Sequence, residues 1–297
     1  MTDFRGSIVP VVTPFKQGEV DHDTLAALID WQIANGSHGI SVTGTTGEPG
    51  ALSLAERKAV MRTAVEAVNG RVPFVPGTGS TNHAETLELS RFAQELGADA
   101  LLVIAPYYCR PSQEGLFQHF DAVAKSVDIP IILYNIPGRT AVNIEIETVA
   151  RLKEANDNII GVKESNKDFE HINRLLHKMG TDFLVYSGIE LLCFPILAIG
   201  GAGYVSATGN LMPAKVASLY DLVAAGKWEE ARRNHYELMT LNDAIFLEIN
   251  PVPVKTILGM MGKCSPEVRL PLAPVSAENY AKLAAIARQY GLVNSEM

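Results

Sequence analysis

Cysteine is scarce in this chain of 297 residues, and its scarcity excludes two classes of protein. The only three, Cys109, Cys193 and Cys264, have no metal-ligand spacing and cannot all pair in disulfides. We therefore predict neither a zinc site nor a disulfide framework. A sparse, odd set of cysteines is typical of free thiols in a reducing compartment, so we expect a cytoplasmic protein.

Basic residues and long apolar runs are also scarce in the sequence. Lys and Arg number 25 against 33 Asp and Glu, which gives a formal net charge of -8. Without a run of basic residues to follow a phosphate backbone, we predict no nucleic-acid partner. The longest apolar segments, such as 98–106, are too short to span a bilayer, and the N-terminus lacks the pattern of a signal peptide. We therefore expect no membrane association.

Sequence signatures of several enzyme classes are absent as well. Thr13-Pro14-Phe15 follows the first predicted strand in place of a Gly-x-Gly-x-x-Gly turn, which disfavours a dinucleotide-binding fold. No Gly-x-Ser-x-Gly segment indicates a Ser-His-Asp hydrolase. The histidines fall mostly in predicted helices and have no ligand-like spacing, so a metal-dependent aldolase is disfavoured and no metal is predicted.

What the sequence does have is a recurring pattern of short, β-branched apolar runs. Nearly continuous hydrophobicity marks strands that are buried on both faces, as in a parallel sheet. Eight strands are predicted, at 7–12, 39–43, 72–76, 100–105, 130–135, 159–163, 183–187 and 203–207. Amphipathic stretches separate them, and one begins with the capping box Ser53-Leu54-Ala55-Glu56. This alternation predicts an α/β fold of the (β/α)8 barrel type, with a doubly wound sheet as the alternative.

The strand pattern stops after residue 211, and the remaining sequence has the pattern of helices. They are predicted at 212–225, 227–247, 252–262 and 277–290. We therefore divide the chain into a catalytic barrel over residues 1–225 and a C-terminal helical extension over residues 226–297.

Lys163 is the most informative single residue. It ends the apolar run 159–162, so we expect burial to disfavour its ammonium form and to leave a neutral amine ready to attack. Such an amine forms an imine with a ketone or aldehyde. Because strands also end in lysines that only reach solvent, a structural role stays open at this point.

Other reactive side chains follow the ends of predicted strands, which meet at one face of a barrel. The loop Gly44-Thr45-Thr46-Gly47-Glu48 offers hydroxyl and backbone N–H groups to a carboxylate or phosphate. Tyr134 can move a proton, and Arg139 can bind a carboxylate through two hydrogen bonds. A core tyrosine and a surface arginine explain the same two residues equally well. Tyr107-Tyr108 is typical of an interface.

These segments together resemble a known family. Lys163, the 44–48 loop and Tyr134-Asn135-Ile136-Pro137-Gly138-Arg139-Thr140 resemble the dihydrodipicolinate synthase family of pyruvate-dependent Schiff-base aldolases and lyases. Matching segments at Gly6-Ser7-Ile8-Val9 and Asn250-Pro251-Val252-Pro253-Val254-Lys255 extend the resemblance over the whole chain. It implies a lyase that condenses pyruvate with L-aspartate 4-semialdehyde to 4-hydroxy-tetrahydrodipicolinate, in lysine and diaminopimelate biosynthesis, without a cofactor.

The resemblance also implies catalytic roles for four residues. Lys163 forms the imine with pyruvate, and Tyr134 shuttles protons. Tyr134 is linked through the Thr45 hydroxyl to Tyr108 of the partner subunit in a tight dimer. Because the family is commonly a homotetramer, we expect a dimer of dimers.

Four further positions are implied to bind the two small-molecule substrates, a keto acid and an aldehyde. The Thr46 backbone N–H, together with that of Thr45 and with Gly44 in the same loop, holds the pyruvate carboxylate. Arg139 receives the carboxylate of the aldehyde, and the Val205 backbone lines the pyruvate pocket.

One group of residues departs from the lysine-inhibited members of the family. Leu54, Arg57 and Thr81 stand where those enzymes place His, His and Asn, while Glu85 and Tyr107 match. Leu54 cannot hydrogen-bond an amino acid, and Arg57 would repel its α-ammonium group. We therefore predict weak or absent inhibition by lysine.

Two alternative functions remain at this stage. Glu164-Ser165-Asn166 stands where many synthases have Glu-Ala-Thr, which leaves open a related pyruvate-dependent aldolase, lyase or hydratase that acts on another keto acid or aldehyde. Arg139 favours the synthase over the sugar-acid lyases. A non-catalytic barrel that senses a keto acid is disfavoured, because a binding protein needs no proton relay.

Overall fold

The computed structural model describes residues 2–293, and its centre is a parallel sheet that curls into a barrel. The strands are β1 (Gly6–Pro10), β2 (Phe15–Lys16), β3 (Glu19–Val20), β4 (Gly39–Ser41), β5 (Leu101–Ile104), β6 (Ile131–Asn135), β7 (Ile159–Glu164), β8 (Leu184–Ser187) and β9 (Gly203–Val205). Seven of the described strands pair in parallel, in the order β4-β1-β9-β8-β7-β6-β5. The short strands β2 and β3 form an antiparallel hairpin that the sequence pattern did not predict.

The third strand predicted for the barrel is reduced to two isolated bridges. Phe74 pairs with Ile40 of β4, and Gly77 pairs with Leu102 of β5, so this segment closes the gap between the two ends of the sheet. The two prolines in 72–76 lack an N–H group and interrupt the ladder of hydrogen bonds. The predicted (β/α)8 barrel is thus confirmed, with one irregular strand.

Helices surround the barrel and follow it toward the C-terminus. They are α1 (His22–Ala34), α2 (Leu54–Val68), α3 (His83–Glu95), α4 (Gln113–Ala124), α5 (Pro137–Thr140), α6 (Ile146–Ala155), α7 (Phe169–Met179), α8 (Cys193–Ala198), α9 (Pro213–Ala224), α10 (Trp228–Glu237), α11 (Met239–Ala244), α12 (Val252–Met260) and α13 (Ala277–Gln289). The helix predicted at 227–247 is divided at Leu238 into α10 and α11. In the part of the chain described here, no helix is long and apolar enough to cross a membrane.

Side chains of the barrel strands point alternately inward and outward, which gives the core two layers. The outer layer, between strands and helices, includes Leu133 and Val162. The inner layer fills the barrel and includes Ile132, Tyr134 and Val205. Because Lys163 follows Val162 on β7, its side chain points into the barrel.

Helix α2 begins with the predicted capping box and also anchors the C-terminal region. The Ser53 backbone N–H donates to Glu56 Oε2 at 2.8 Å, and the Glu56 N–H donates to Ser53 Oγ at 3.2 Å. Arg269, far along the chain, donates to Glu56 Oε1 at 2.7 Å. This hydrogen bond is the main reason that the pKa of Glu56 falls to about 2.

The C-terminal helices pack directly on the barrel. Helix α10 contacts α9, and the α12 residues 252–258 are all buried. The division at residues 225 and 226 stays a prediction, and residues 294–297 of the predicted extension lie outside the described residues.

We expect Gly161→Ala to destabilise the barrel by at least about 2 kcal/mol, because overpacking against backbone cannot be relieved by a side-chain rotation. A Cβ at this position of β7 would lie 2.3 Å from the Leu184 carbonyl oxygen of β8. Urea unfolding measures the loss. Gly138→Ala is the matched control, since its Cβ would meet no atom of the described chain within 4 Å. Equal stability of the two variants would contradict the expectation.

Candidate active site

A cavity of about 360 Å³ opens at the C-terminal ends of the barrel strands. Loops from distant parts of the chain form its wall. The loop after β4 contributes Gly44 and Thr45, and β6 contributes Tyr134 at its end. The C-terminal region contributes Asn250 and Leu272. The cavity therefore lies where the sequence predicts the active site, and the extension forms part of its wall.

Lys163 and Tyr134 lie side by side on neighbouring strands. The register of β6 and β7 places the two residues opposite each other, and both side chains point into the barrel. The Lys163 Nζ atom is 4.0 Å from the centre of the Tyr134 ring, and only 6% of Lys163 is exposed. A cation over an aromatic face is attracted by the ring, most strongly where water is excluded. The predicted imine-forming lysine thus lies beside the predicted proton carrier.

The Tyr134 hydroxyl is held in an environment that favours ionisation. Burial alone would raise its pKa, but the Lys163 charge and the nearby Thr45 and Ser165 hydroxyls outweigh burial and lower the pKa below its ordinary value. The Thr45 Oγ1 atom is 3.4 Å from the Tyr134 hydroxyl oxygen. Such a tyrosine can accept and return a proton more readily than an ordinary one.

The loop after β4 forms a short 3-10 turn over Thr45–Gly47. The Thr46 side chain is buried, and its Oγ1 accepts a hydrogen bond of 3.0 Å from the Asn250 amide. Gly44 and Thr45 remain at the cavity wall. The Thr46 hydroxyl therefore fixes the loop, and binding of a substrate by the backbone N–H groups stays a prediction.

The turn ends at Glu48, which forms a buried ion pair. Lys255 of α12 donates from Nζ to Glu48 Oε1 at 2.8 Å and to the Thr13 carbonyl at 2.9 Å. The same Nζ lies 4.2 Å from the centre of the Phe15 ring. Burial lowers the pKa of Lys255, and the Glu48 carboxylate partly opposes this shift. Lys255 appears in the sequence only as the end of a matching segment, and its role as an anchor of the site was missed.

Arg139 and Asn250 meet at another part of the cavity wall. Arg139, in α5, donates from NH2 to the Asn250 backbone carbonyl at 3.4 Å. Asn250 Oδ1 is buried and has no hydrogen-bond partner among the described residues. Sequence reasoning named Arg139 but missed Asn250, whose place in the site depends on a contact over 204 positions with Thr46.

Tyr108 and Val205 lie in two different environments. Tyr108 is 94% exposed on the loop after β5, with a φ of 71° that is strained for a non-glycine residue. Val205, at the end of β9, is buried in the inner layer of the barrel. In the described part of the chain neither residue borders the cavity, and neither do Lys163 and Thr46. The roles predicted for the site residues stay predictions.

Of the residues that depart from the lysine-inhibited pattern, Arg57 lies near two that match it, Tyr107 and Glu85. The Arg57 side chain is buried, and its NH2 donates to the carbonyls of Gly77 at 3.0 Å and Gly79 at 3.1 Å. Burial lowers the pKa of Arg57 to about 10, and the nearby Tyr107 and Glu85 oppose the shift. The guanidinium group of Arg57 therefore lies near Tyr107 and Glu85 as a cation.

The barrel, the buried lysine at the end of a central strand and the adjacent tyrosine define the class I lyases, which bind a carbonyl substrate as an imine. The family model described as the Dihydrodipicolinate synthetase family matches residues 3–290. The chain belongs to this family, as the resemblance in sequence predicted.

Similar proteins match the chain from end to end. The 4-hydroxy-tetrahydrodipicolinate synthase of Pelobacter propionicus is 48% identical over 290 residues, which cover 98% of this chain and 100% of the relative. The structure of dihydrodipicolinate synthase from Aquifex aeolicus has a TM-score of 0.96 at 42% identity and covers 99% of this chain and 100% of that one. The enzyme of Cyanidioschyzon merolae, solved with lysine bound, has a TM-score of 0.95 at 35% identity, with 99% and 100% covered.

We expect L-lysine at millimolar concentration to leave the activity of this protein nearly unchanged. Leu54 offers no hydrogen bond to the ligand, and the buried Arg57 cation repels its ammonium groups. Initial rates with and without lysine measure the effect. The triple variant Leu54→His, Arg57→His, Thr81→Asn is the matched test and should become more sensitive to lysine. Strong inhibition of the unaltered protein would refute the prediction.

Proposed function

We propose that this protein condenses pyruvate with L-aspartate 4-semialdehyde to give 4-hydroxy-tetrahydrodipicolinate, a step of lysine and diaminopimelate biosynthesis. The observation that carries the proposal is the contact of Lys163 Nζ with the Tyr134 ring inside the barrel. Full-length similarity to enzymes that bear this name supports the same reaction.

Imine formation begins with attack of Lys163 Nζ on the ketone carbon of pyruvate. The backbone N–H groups of Thr45 and Thr46, with the open backbone at Gly44, bind the pyruvate carboxylate and orient the ketone. Tyr134 donates the proton with which the former ketone oxygen leaves as water. The phenolate that remains is stabilised by the positive charge of the protonated imine that forms on Lys163, as the Lys163 charge lowers the pKa of Tyr134 in the resting site.

The protonated imine then withdraws electrons from the pyruvate methyl group, which loses a proton to the Tyr134 phenolate and leaves an enamine. The enamine carbon attacks the aldehyde, whose carboxylate is bound by Arg139, and the Val205 backbone borders the pyruvate part of the pocket. The amino group of the second substrate displaces Lys163 and closes the ring. Every step uses groups of the chain and its substrates, so we propose that no cofactor or metal takes part.

We also propose that the protein assembles as a dimer of dimers in the cytoplasm. Tyr108 supports the assembly, because an exposed aromatic ring on a strained loop is suited to insertion into a second subunit. The cysteines Cys109, Cys193 and Cys264 are all free, which agrees with a reducing compartment.

Lys163→Ala should abolish turnover while the fold stays intact, because no other amine lies beside Tyr134 in the described structure. Turnover is followed with pyruvate, L-aspartate 4-semialdehyde and a reductase that consumes the product and NAD(P)H. Borohydride should trap pyruvate on Lys163 of the unaltered protein and not on the variant. If borohydride traps pyruvate but no turnover is seen, the imine mechanism is retained and the second substrate is a different aldehyde. Retained activity of the variant would reject every imine mechanism.

Tyr108→Phe should lower kcat, because the hydroxyl that completes the proton path would be lost. Mixing this variant with Lys163→Ala subunits tests whether the path crosses an interface. Hybrid dimers would contain one site with both Lys163 and Tyr108 of the partner subunit, so activity should reappear after the two variants exchange subunits. If the mixture is no more active than the sum of its components while native mass spectrometry of differently tagged variants shows hybrid dimers, Tyr108 does not act across the interface.

A further inference from the structure

Ser165 lies beside the reacting groups, although nothing above assigns it a role. It follows Lys163 by two residues, and its backbone N–H continues the ladder of β7 by donating to the Asn135 carbonyl at 2.8 Å. Residues two apart on an extended strand point to the same side. The Ser165 side chain therefore points into the barrel, one layer beyond Lys163, and the residue is only 5% exposed.

Gly188, just past the end of β8, provides the space for this side chain. A Cβ at Gly188 would lie 2.0 Å from Ser165 Oγ and 2.8 Å from Lys163 Cε. The serine hydroxyl and the end of the lysine chain thus occupy the same small volume, which only a glycine at position 188 leaves open.

The Ser165 hydroxyl is buried without a hydrogen-bond partner among the residues described. A buried and unsatisfied hydroxyl is costly, so its position favours a hydrogen-bond acceptor that forms during the reaction. The Tyr134 hydroxyl is a candidate, because Ser165 Oγ and the end of the Lys163 chain share the space at Gly188, and Lys163 Nζ lies 4.0 Å from the centre of the Tyr134 ring. Ser165 also contributes to the lowering of the Tyr134 pKa. In the resting site the two groups are near each other but do not form an ordinary hydrogen bond.

We propose that Ser165 is a positioning residue for imine chemistry, whose hydroxyl donates a hydrogen bond to the Tyr134 oxygen once that oxygen has given up its proton. This inference rests on the proposed function. When the carbinolamine on Lys163 loses water, the Tyr134 proton passes to the departing hydroxyl and the C–O bond breaks. The nitrogen lone pair completes the C=N bond, and a Tyr134 phenolate remains beside the protonated imine.

A second donor at this oxygen has a clear physical effect. A buried phenolate is poorly stabilised unless it accepts hydrogen bonds, and bonds to the charged form favour that form. Thr45 Oγ1 approaches the Tyr134 oxygen only at 3.4 Å. Ser165 would supply a second hydroxyl. This hydroxyl has no hydrogen-bond partner before the reaction and would gain one when the phenolate forms.

The test compares Ser165→Ala with Ser165→Thr, which keeps the hydroxyl. Tyr134 is titrated by ultraviolet difference absorbance, with Tyr134→Phe subtracted as the reference. We expect Ser165→Ala to ionise Tyr134 at higher pH than the unaltered protein, and Ser165→Thr to restore the original titration. Single-turnover trapping of pyruvate should be about tenfold slower in Ser165→Ala, the effect of losing one hydrogen bond to a charged group.

Ser7→Ala is the matched control. Ser7 is also a buried barrel serine whose hydroxyl lacks a partner among residues 2–293, but it lies near the start of β1, at the opposite end of the barrel. Its loss should leave the titration of Tyr134 unchanged. If Ser165→Ala titrates like the unaltered protein, the inference is overturned. The titration requires no pyruvate, so failure of the unaltered protein to trap pyruvate would reject the proposed function separately.

Discussion

The architecture of the site depends on the buried ion pair between Glu48 and Lys255. Removing two charges from water is costly, and the pair is stable only because its remaining hydrogen-bonding capacity is satisfied. Lys255 meets this condition by donating to both Glu48 and the Thr13 carbonyl and by lying over the Phe15 ring. The pair ties the turn after β4 to a helix of the C-terminal extension. The backbone groups that would bind pyruvate are thereby held in place before any substrate arrives.

Lys163 and Tyr134 lie together in a small and buried volume of the barrel. Electrostatic interactions are stronger there than in water, so the Lys163 charge has a large influence on the adjacent Tyr134 hydroxyl. Strand register brings the two side chains together without any loop rearrangement. The barrel therefore supplies the geometry of the pair, and the loops supply recognition of the substrates.

The sequence pattern predicted the barrel well because strands buried on both faces produce continuous apolar runs. It failed at the third strand, where prolines reduce pairing to bridges, and at the β2–β3 hairpin, which is too short to produce a pattern. Lys163 and Tyr134 were predictable because each ends such a run. Asn250 and Lys255 were not, since their places depend on contacts with residues more than 200 positions away.

The wall of the cavity also has a consequence for the synthesis of the protein on the ribosome. The lysine and the tyrosine belong to central strands, but Asn250 and Leu272 complete the enclosure. Because Lys163 precedes Asn250 and Leu272 in the chain, the ribosome adds the lysine before it adds these residues of the wall. A newly made chain should thus pass through a period in which the Lys163 amine is exposed to small aldehydes in the cell. Rapid docking of the last helices would end that exposure.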